Sequence, residues 1–196
     1  MNSTQSKLTL PNLLTGFRFV AAPVLLWLAW HGHGIAFMAL LAVAFLTDLL
    51  DGMAARLTGQ VTEFGATLDS WADVVNYLTI ALCCWWLWPD MVGRELLYVS
   101  LIVASCLLPA LAGFFKFGRF TSYHTWAVKI AAGAMGLTLY VLFLGGPAWP
   151  FRVAAVICIV AAVEEIAITL ILPEPESNLR SVWDVLKRSV RNNRRS

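Results

Sequence analysis

Four aspartates interrupt apolar sequence at the point where one hydrophobic run ends and the next begins. Asp48 and Asp51 close the first run, and Asp69 and Asp73 open the second. Within each pair the spacing is three or four residues, so both members fall on one face of a helix. Folding the two helices together across residues 57–64 would bring all four carboxylates to one place. Such a cluster repels itself unless a cation fills it.

The residues around the aspartates indicate which cation that is. Arg56 is the only base close to the acids in the sequence, and one arginine cannot neutralise four aspartates. Oxygen ligands without histidine or cysteine favour Mg²⁺ or Mn²⁺ over zinc. Two cations held by shared carboxylates recur in enzymes that displace a group at phosphorus, because they offset charge on the attacking and leaving oxygens. The pattern therefore predicts metal-assisted phosphoryl-type transfer.

The composition places these residues in a membrane protein. The chain has 196 residues, of which 59% are hydrophobic and 13% charged, well outside the balance of a soluble domain. The formal net charge of +2 is small, and the basic residues mark the ends of apolar runs, which does not favour nucleic-acid binding. Carboxylates within membrane segments are costly and are by default functional. We therefore expect the substrate to be a lipid.

Hydropathy predicts an all-α, polytopic membrane protein with six transmembrane helices. Residues 1–175 form one catalytic domain, which opens with a short interfacial segment, and residues 176–196 form a basic amphipathic tail. Pro89 to Glu95 is expected to be a polar turn. The predicted spans are Leu13–Trp30, Ile35–Arg56, Gly65–Trp88, Leu96–Phe115, Tyr123–Leu144 and Phe151–Leu172.

An even number of spans places both termini on one side of the membrane. The positive-inside rule assigns that side to the cytoplasm, because it collects most of the basic residues that flank the spans. The acids then lie on the cytoplasmic side of the cell (inner) membrane. The flanking residues on that side are Lys7, Arg18, Arg56, Lys116, Arg119 and the tail.

The acidic stretch resembles the CDP-alcohol phosphatidyltransferase family. The pattern D-x2-D-G-x2-A-R-x8-G-x3-D-x3-D is met at every fixed position from Asp48 to Asp73. The opening sequence, from Pro11 through Thr15 to Arg18, also resembles the start of the family's first helix. The resemblance covers nearly the whole chain, although only the acidic pattern is highly specific.

The resemblance implies that a CDP-linked lipid donates its phosphatidyl group to an alcohol and releases CMP. Two divalent ions would be held by the aspartates. Asp69 and Asp73 would be the catalytic residues, with Asp73 as general base toward the acceptor hydroxyl. Small residues would admit the CDP moiety, and Gly65 would keep the motif helices close. A homodimer is implied as well. The residues assigned to CDP are Gly52, Ala55 and Arg56, with Asn12 and Thr15 as weaker candidates, and those assigned to the metals are Asp48, Asp51, Asp69 and Asp73.

Basic residues near the fifth predicted span are candidates for a phosphate on the acceptor. Ordinary positive-inside flanking explains Lys116 and Arg119 equally well. Lys129 is expected two turns into an apolar helix, which favours a polar cavity. His124 lies between them, and Glu164 and Glu165 further on have no assigned role.

Other functions stay open at this point. In one alternative, the donor is a soluble CDP-alcohol such as CDP-choline and the acceptor is the lipid diacylglycerol, so the donor is water-soluble and the acceptor is the lipid. An intramembrane prenyltransferase would release pyrophosphate, and a divalent-metal transporter would release no CMP. Within the favoured class the sequence does not identify the acceptor alcohol. Glycerol 3-phosphate, an inositol phosphate, serine and other phospholipid headgroups are all compatible with it.

Overall fold

The computed structural model describes residues 9–57, 63–118, 123, 125–174, 179, 181–183, 185 and 187. In this part of the chain there are seven helices and no strand. The chain forms two compact units, Met1–Arg94 and Glu95–Ser196. The helices are α1 Leu10–Trp30, α2 Gly34–Leu57, α3 Glu63–Leu87, α4 Pro89–Arg94, α5 Leu96–Phe117, α6 Trp126–Phe143 and α7 Trp149–Ile171.

The six long helices begin and end within three residues of the six predicted spans. The prediction of a turn after Trp88 was wrong, because α4 occupies Pro89–Arg94. Its composition suits a short helix: proline is tolerated at the first position, Asp90 lies in the first turn and Arg94 in the last.

Four of the described helices are long and apolar enough to cross a membrane: α1, α5, α6 and α7. The apolar part of α2 is shorter and ends at Asp48. Polar side chains at Asp69, Asp73 and Asn76 interrupt the first half of α3. α2 and α3, the two helices that carry the aspartates, are thus the least apolar of the six long helices.

In the first unit, α1 packs along both α2 and α3. The helix begins at a Thr9 cap, whose hydroxyl oxygen accepts a hydrogen bond from the backbone N–H of Asn12, and proline occupies its first turn. Ala21 and Ala22 are buried, and small residues of this kind let helix backbones approach closely. This central position of α1 decides what the functional site contains.

In the second unit, α7 packs along both α5 and α6. Its buried surface again includes small residues, namely Ala154, Ala155, Ala161 and Ala162. At the far end of α5, Gly118 adopts a left-handed conformation with φ of 69°, which closes the helix. The ammonium group of Lys116 donates to the carbonyl oxygens of Thr169 (2.9 Å) and Leu170 (2.8 Å), so it caps the end of α7.

The described part of the tail docks on this second unit. Leu179 and Val185 are buried in a cluster with Tyr123, Ile168 and Leu172. The backbone N–H of Leu179 donates to the carbonyl oxygen of Tyr123 at 3.1 Å. The tail was predicted to be a basic amphipathic segment, and Leu179, an apolar residue of that segment, is buried against protein.

Candidate active site

The acidic cluster is built from the end of α2 and the start of α3. One carboxylate oxygen from each of Asp48, Asp69 and Asp73 lies within 4.8 Å of the others. Asp69 and Asp73 share a face of α3 because one helical turn separates them. The structure thus brings together three of the four acids singled out by the sequence. The fourth, Asp51, lies in α2, but its side chain is outside the described part of the chain.

A buried arginine from α1 contacts all three carboxylates. The side chain of Arg18 is 1% exposed, and its Nη1 atom lies 2.8 Å from Oδ1 of Asp73. The same nitrogen contacts Asp48, and Nη2 contacts Asp69. The guanidinium reaches both acidic helices because α1 packs along each of them.

The expectation that Arg56 is the only base near the acids was therefore wrong. Sequence distance concealed Arg18, which precedes Asp73 by 55 residues. The sequence nevertheless contained a signal. An arginine inside an apolar span needs an anionic partner, and the four aspartates had too few neighbouring basic residues to balance their charge. Together these two observations predict that Arg18 pairs with the aspartates.

The charge balance of the described groups still favours a divalent cation. Three carboxylates carry a formal charge of −3, and one guanidinium leaves −2 uncompensated. Oxygens sharing one Mg²⁺ at about 2.1 Å lie roughly 3 to 4 Å apart, so small rotations of these side chains would suffice. The side chains of Asp48, Asp69 and Asp73 are 43%, 18% and 25% exposed, so the cluster is open to a ligand. The residues present fit a hard divalent ion.

Further polar residues flank the cluster on the same helices. Asn12 and Thr15 precede Arg18 on α1 at intervals of three residues, and Thr15 is buried. On α3, Asn76 follows Asp73 by one turn and is 5% exposed, with no hydrogen-bond partner for its Oδ1 atom among the described residues. Asn76 was not among the predicted site residues, although an amide one turn after an acid in an apolar helix is an available signal.

The residues assigned to the CDP moiety are only partly described. Gly65 lies half-buried in the first turn of α3. Gly52, Ala55 and Arg56 lie in α2, but only their helical backbone is described. Their assignment stays a prediction.

Two of the four basic residues assigned to an acceptor phosphate are described. Lys116 binds the last carbonyls of α7, as above. Lys129 is exposed in the first turn of α6, with its Nζ atom 5.2 Å from the centre of the Trp126 ring. It was expected two turns into the helix, but α6 begins three residues later than that prediction assumed. Arg119 and His124 lie outside the described residues.

The two glutamates of α7, which had no predicted role, hold loop and tail segments. Glu164 accepts hydrogen bonds from the hydroxyl of Thr125 (2.9 Å) and the backbone N–H of Val182 (3.0 Å). Glu165 accepts one from the backbone N–H of Tyr123 (3.2 Å). These carboxylates therefore fix the chain before α6 and the start of the tail to α7.

Comparison with known proteins gives one consistent family. A family model described as CDP-alcohol phosphatidyltransferase matches residues 8–172. A probable phosphatidylglycerophosphate synthase of Mycobacterium tuberculosis is 33% identical over 170 residues, covering 79% of this chain and 74% of the relative. No solved structure matches.

Two further relatives have related names. A CDP-diacylglycerol--glycerol-3-phosphate 3-phosphatidyltransferase of Pseudomonas fluorescens is 32% identical over 159 residues, covering 74% of this chain and 77% of the relative. A probable cardiolipin synthase (CMP-forming) of Drosophila melanogaster is 34% identical over 161 residues, covering 74% of this chain and 49% of the relative.

Proposed function

The chain belongs to the CDP-alcohol phosphatidyltransferase family, and from this premise we propose that it transfers a phosphatidyl group from CDP-diacylglycerol to the hydroxyl of an alcohol, releasing CMP. The main support for the proposal is that the carboxylates of Asp48, Asp69 and Asp73 lie close together. All three residues are fixed positions of the sequence pattern that resembles the family. The shared chemistry of the relatives' names supports the same reaction.

Glycerol 3-phosphate is the acceptor that we propose. The chain and the Pseudomonas fluorescens relative each cover about three quarters of the other, and that relative's name specifies glycerol 3-phosphate. The Mycobacterium tuberculosis relative is named for the corresponding product. Phosphatidylglycerol is the second candidate, because the Drosophila melanogaster relative is a probable cardiolipin synthase.

The aspartates divide between holding cations and moving a proton. Asp48, Asp51, Asp69 and Asp73 would hold two Mg²⁺ or Mn²⁺ ions, which supply positive charge opposite the donor's phosphate oxygens. Asp73 takes the proton of the acceptor hydroxyl, and the hydroxyl oxygen bonds to the lipid-bearing phosphorus. The bond from that phosphorus to the CMP oxygen breaks, and CMP leaves with the bonding electron pair.

Binding roles for the remaining residues follow the family pattern. Gly52, Ala55 and Arg56 take the CDP moiety, with Asn12 and Thr15 nearby on α1, while Gly65 keeps the acidic helices close. Lys116, Arg119, His124 and Lys129 form the candidate set for the acceptor phosphate. Of the two described members, Lys116 binds α7 carbonyls, and Lys129 is exposed in the first turn of α6.

We propose six membrane spans, α1 to α3 and α5 to α7, with both termini and the acids on the cytoplasmic side of the inner membrane. The support is helix length: even α6, the shortest at 18 residues, extends roughly 27 Å at 1.5 Å per residue. Residues 1–175 then form the catalytic domain and 176–196 the tail. A homodimer is proposed from the family alone.

The deciding experiment measures CMP release from full-length protein in liposomes that contain CDP-diacylglycerol and Mg²⁺. Glycerol 3-phosphate, phosphatidylglycerol, serine and inositol phosphate are supplied in turn. CMP with glycerol 3-phosphate alone supports the proposal, and CMP with phosphatidylglycerol alone replaces the acceptor. Absence of CMP with every acceptor, from protein shown to be folded, rejects this donor, and CDP-choline with diacylglycerol is then the alternative to assay.

A further inference from the structure

Asn76 is a buried amide whose oxygen has no hydrogen-bond partner in the described part of the chain. Its side chain is 5% exposed, and the atom without a partner is Oδ1. Asn76 follows Asp69 and Asp73 on α3 at intervals of seven and three residues, so all three side chains lie on one face of the helix. The amide thus extends the acidic face of α3 by one turn, toward the middle of the helix.

The helix packed along α3 presents apolar residues at this depth. Arg18 of α1 contacts the two acids near the start of α3. Near the ends of the same helices, the ring centroids of Trp30 and Trp86 lie 5.1 Å apart, so α1 and α3 run in the same direction. Asn76 therefore lies alongside the part of α1 that follows Arg18, where residues 19–26 are all apolar. A buried amide oxygen without a donor is destabilising and uncommon, which indicates a partner that binds from outside the chain.

We propose that Asn76 recognises the hydroxyl next to the reacting one on the acceptor alcohol, and so selects acceptors that carry two hydroxyls on adjacent carbons. The inference rests on the proposed function for the reaction itself. It deepens that function by assigning a specificity-determining residue to the acceptor. Both proposed acceptors meet the requirement, since glycerol 3-phosphate and the headgroup of phosphatidylglycerol each carry such a pair of hydroxyls.

The spacing of Asp73 and Asn76 suits a diol. Side chains three residues apart on a helix have Cβ atoms about 5 to 6 Å apart, so a carboxylate and an amide at these positions can each reach one of two neighbouring hydroxyls. The hydroxyl that loses its proton pairs with Asp73, and the second hydroxyl donates to Oδ1 of Asn76. A hydroxyl suits this position better than an ammonium group, because a neutral amide cannot balance a buried charge.

The test compares glycerol 3-phosphate with 3-hydroxypropyl phosphate, which lacks only the middle hydroxyl. CMP release is measured from full-length protein in liposomes with CDP-diacylglycerol and Mg²⁺. Wild type should use glycerol 3-phosphate roughly ten- to a hundredfold better in kcat/KM, because the analogue leaves the amide oxygen unpaired. In Asn76→Leu this preference should disappear, with the loss confined to glycerol 3-phosphate. Thr79→Val removes the hydroxyl of a buried side chain three residues further along α3, and this matched control should keep the wild-type preference.

Thermal unfolding in detergent separates recognition of the acceptor from a structural role. Because the described chain gives the amide oxygen no partner, Asn76→Leu should keep or raise the melting temperature. A lower melting temperature together with an unchanged preference between the two phosphates would assign Asn76 to packing and overturn the proposal. Should Asn76→Leu fail to fold, Asn76→Ala, which adds no bulk, takes its place in both measurements.

The proposal is also overturned if wild type uses the two phosphates equally well, or if the preference survives in Asn76→Leu. In either case, CMP release with glycerol 3-phosphate would leave the proposed reaction standing. Where phosphatidylglycerol is the acceptor, the same comparison is made with the lipid that carries propanediol in place of its headgroup glycerol. CMP with serine alone, whose side chain has a single hydroxyl, contradicts the proposal, and no CMP from wild type with any acceptor rejects the reaction and this proposal together.

Discussion

Arg18 and Asp73 are separated by 55 residues in the sequence, yet Nη1 of the arginine lies 2.8 Å from Oδ1 of the aspartate. The carboxylate proposed to take the acceptor's proton is therefore in contact with a buried arginine from another helix, α1.

Asp73→Asn should abolish turnover while leaving most donor binding intact. The amide keeps the shape of the side chain but cannot accept a proton, and loss of a general base slows reactions by about 10² to 10⁴-fold. The measurement is kcat for CMP release beside the Kd of CDP at saturating Mn²⁺. Equal losses in rate and in CDP affinity would instead make Asp73 mainly a metal ligand.

Replacing Arg152 by methionine should lower the melting temperature more than replacing both members of its ion pair. Arg152 Nε and Nη2 bind the two carboxylate oxygens of Glu95 at 2.9 and 2.8 Å, which joins the start of α7 to the start of α5. Glu95 is 5% exposed, so replacing Arg152 alone takes a cation away from a buried carboxylate.

Thermal unfolding in detergent of Arg152→Met, Glu95→Met and the double variant measures this coupling. A double variant no more stable than Arg152→Met would show that loss of the ion pair itself, and not burial of the Glu95 charge, accounts for the lower melting temperature.

Glu164→Leu should release the start of the tail from α7. Glu164 accepts the backbone N–H of Val182, and a hydrogen bond to a charged acceptor is worth enough that amide exchange there should accelerate roughly tenfold or more. Hydrogen exchange followed by mass spectrometry on the peptide that contains Val182 measures this. Glu174→Gln removes an exposed charge of the same unit and should leave the exchange rate unchanged.

Unchanged exchange at Val182 in the Glu164→Leu protein would mean that burial of Leu179 and Val185 holds the tail without this hydrogen bond.

Lys129→Ala should raise the KM for glycerol 3-phosphate several-fold with little change in kcat, because a lost ground-state contact to phosphate weakens binding without altering the chemical step. CMP release at varied acceptor concentration and saturating CDP-diacylglycerol measures both values. Lys129→Arg, which keeps the charge beside Trp126, is the matched control and should retain most of the affinity. An unchanged KM in Lys129→Ala would remove Lys129 from the acceptor site.

The sequence by itself determined the helices and the identity of the acids. Helix bounds follow from runs of apolar residues ended by Gly, Pro and charge, so each depends only on nearby residues. The spacing of Asp69 and Asp73 likewise places them on one face of α3 without reference to any other helix. These features were predictable because the interactions behind them are local.

Only the tertiary structure decided which partners those residues have. Arg18 meets Asp73, Arg152 meets Glu95 and Lys116 meets the end of α7 because particular helix faces adjoin. In an apolar chain both lipid-facing and protein-facing surfaces are hydrophobic, so hydropathy cannot tell which face meets which helix. Close approach of small residues such as Ala21 and Ala155 selects the contacts, and long-range pairs of charges follow from that selection.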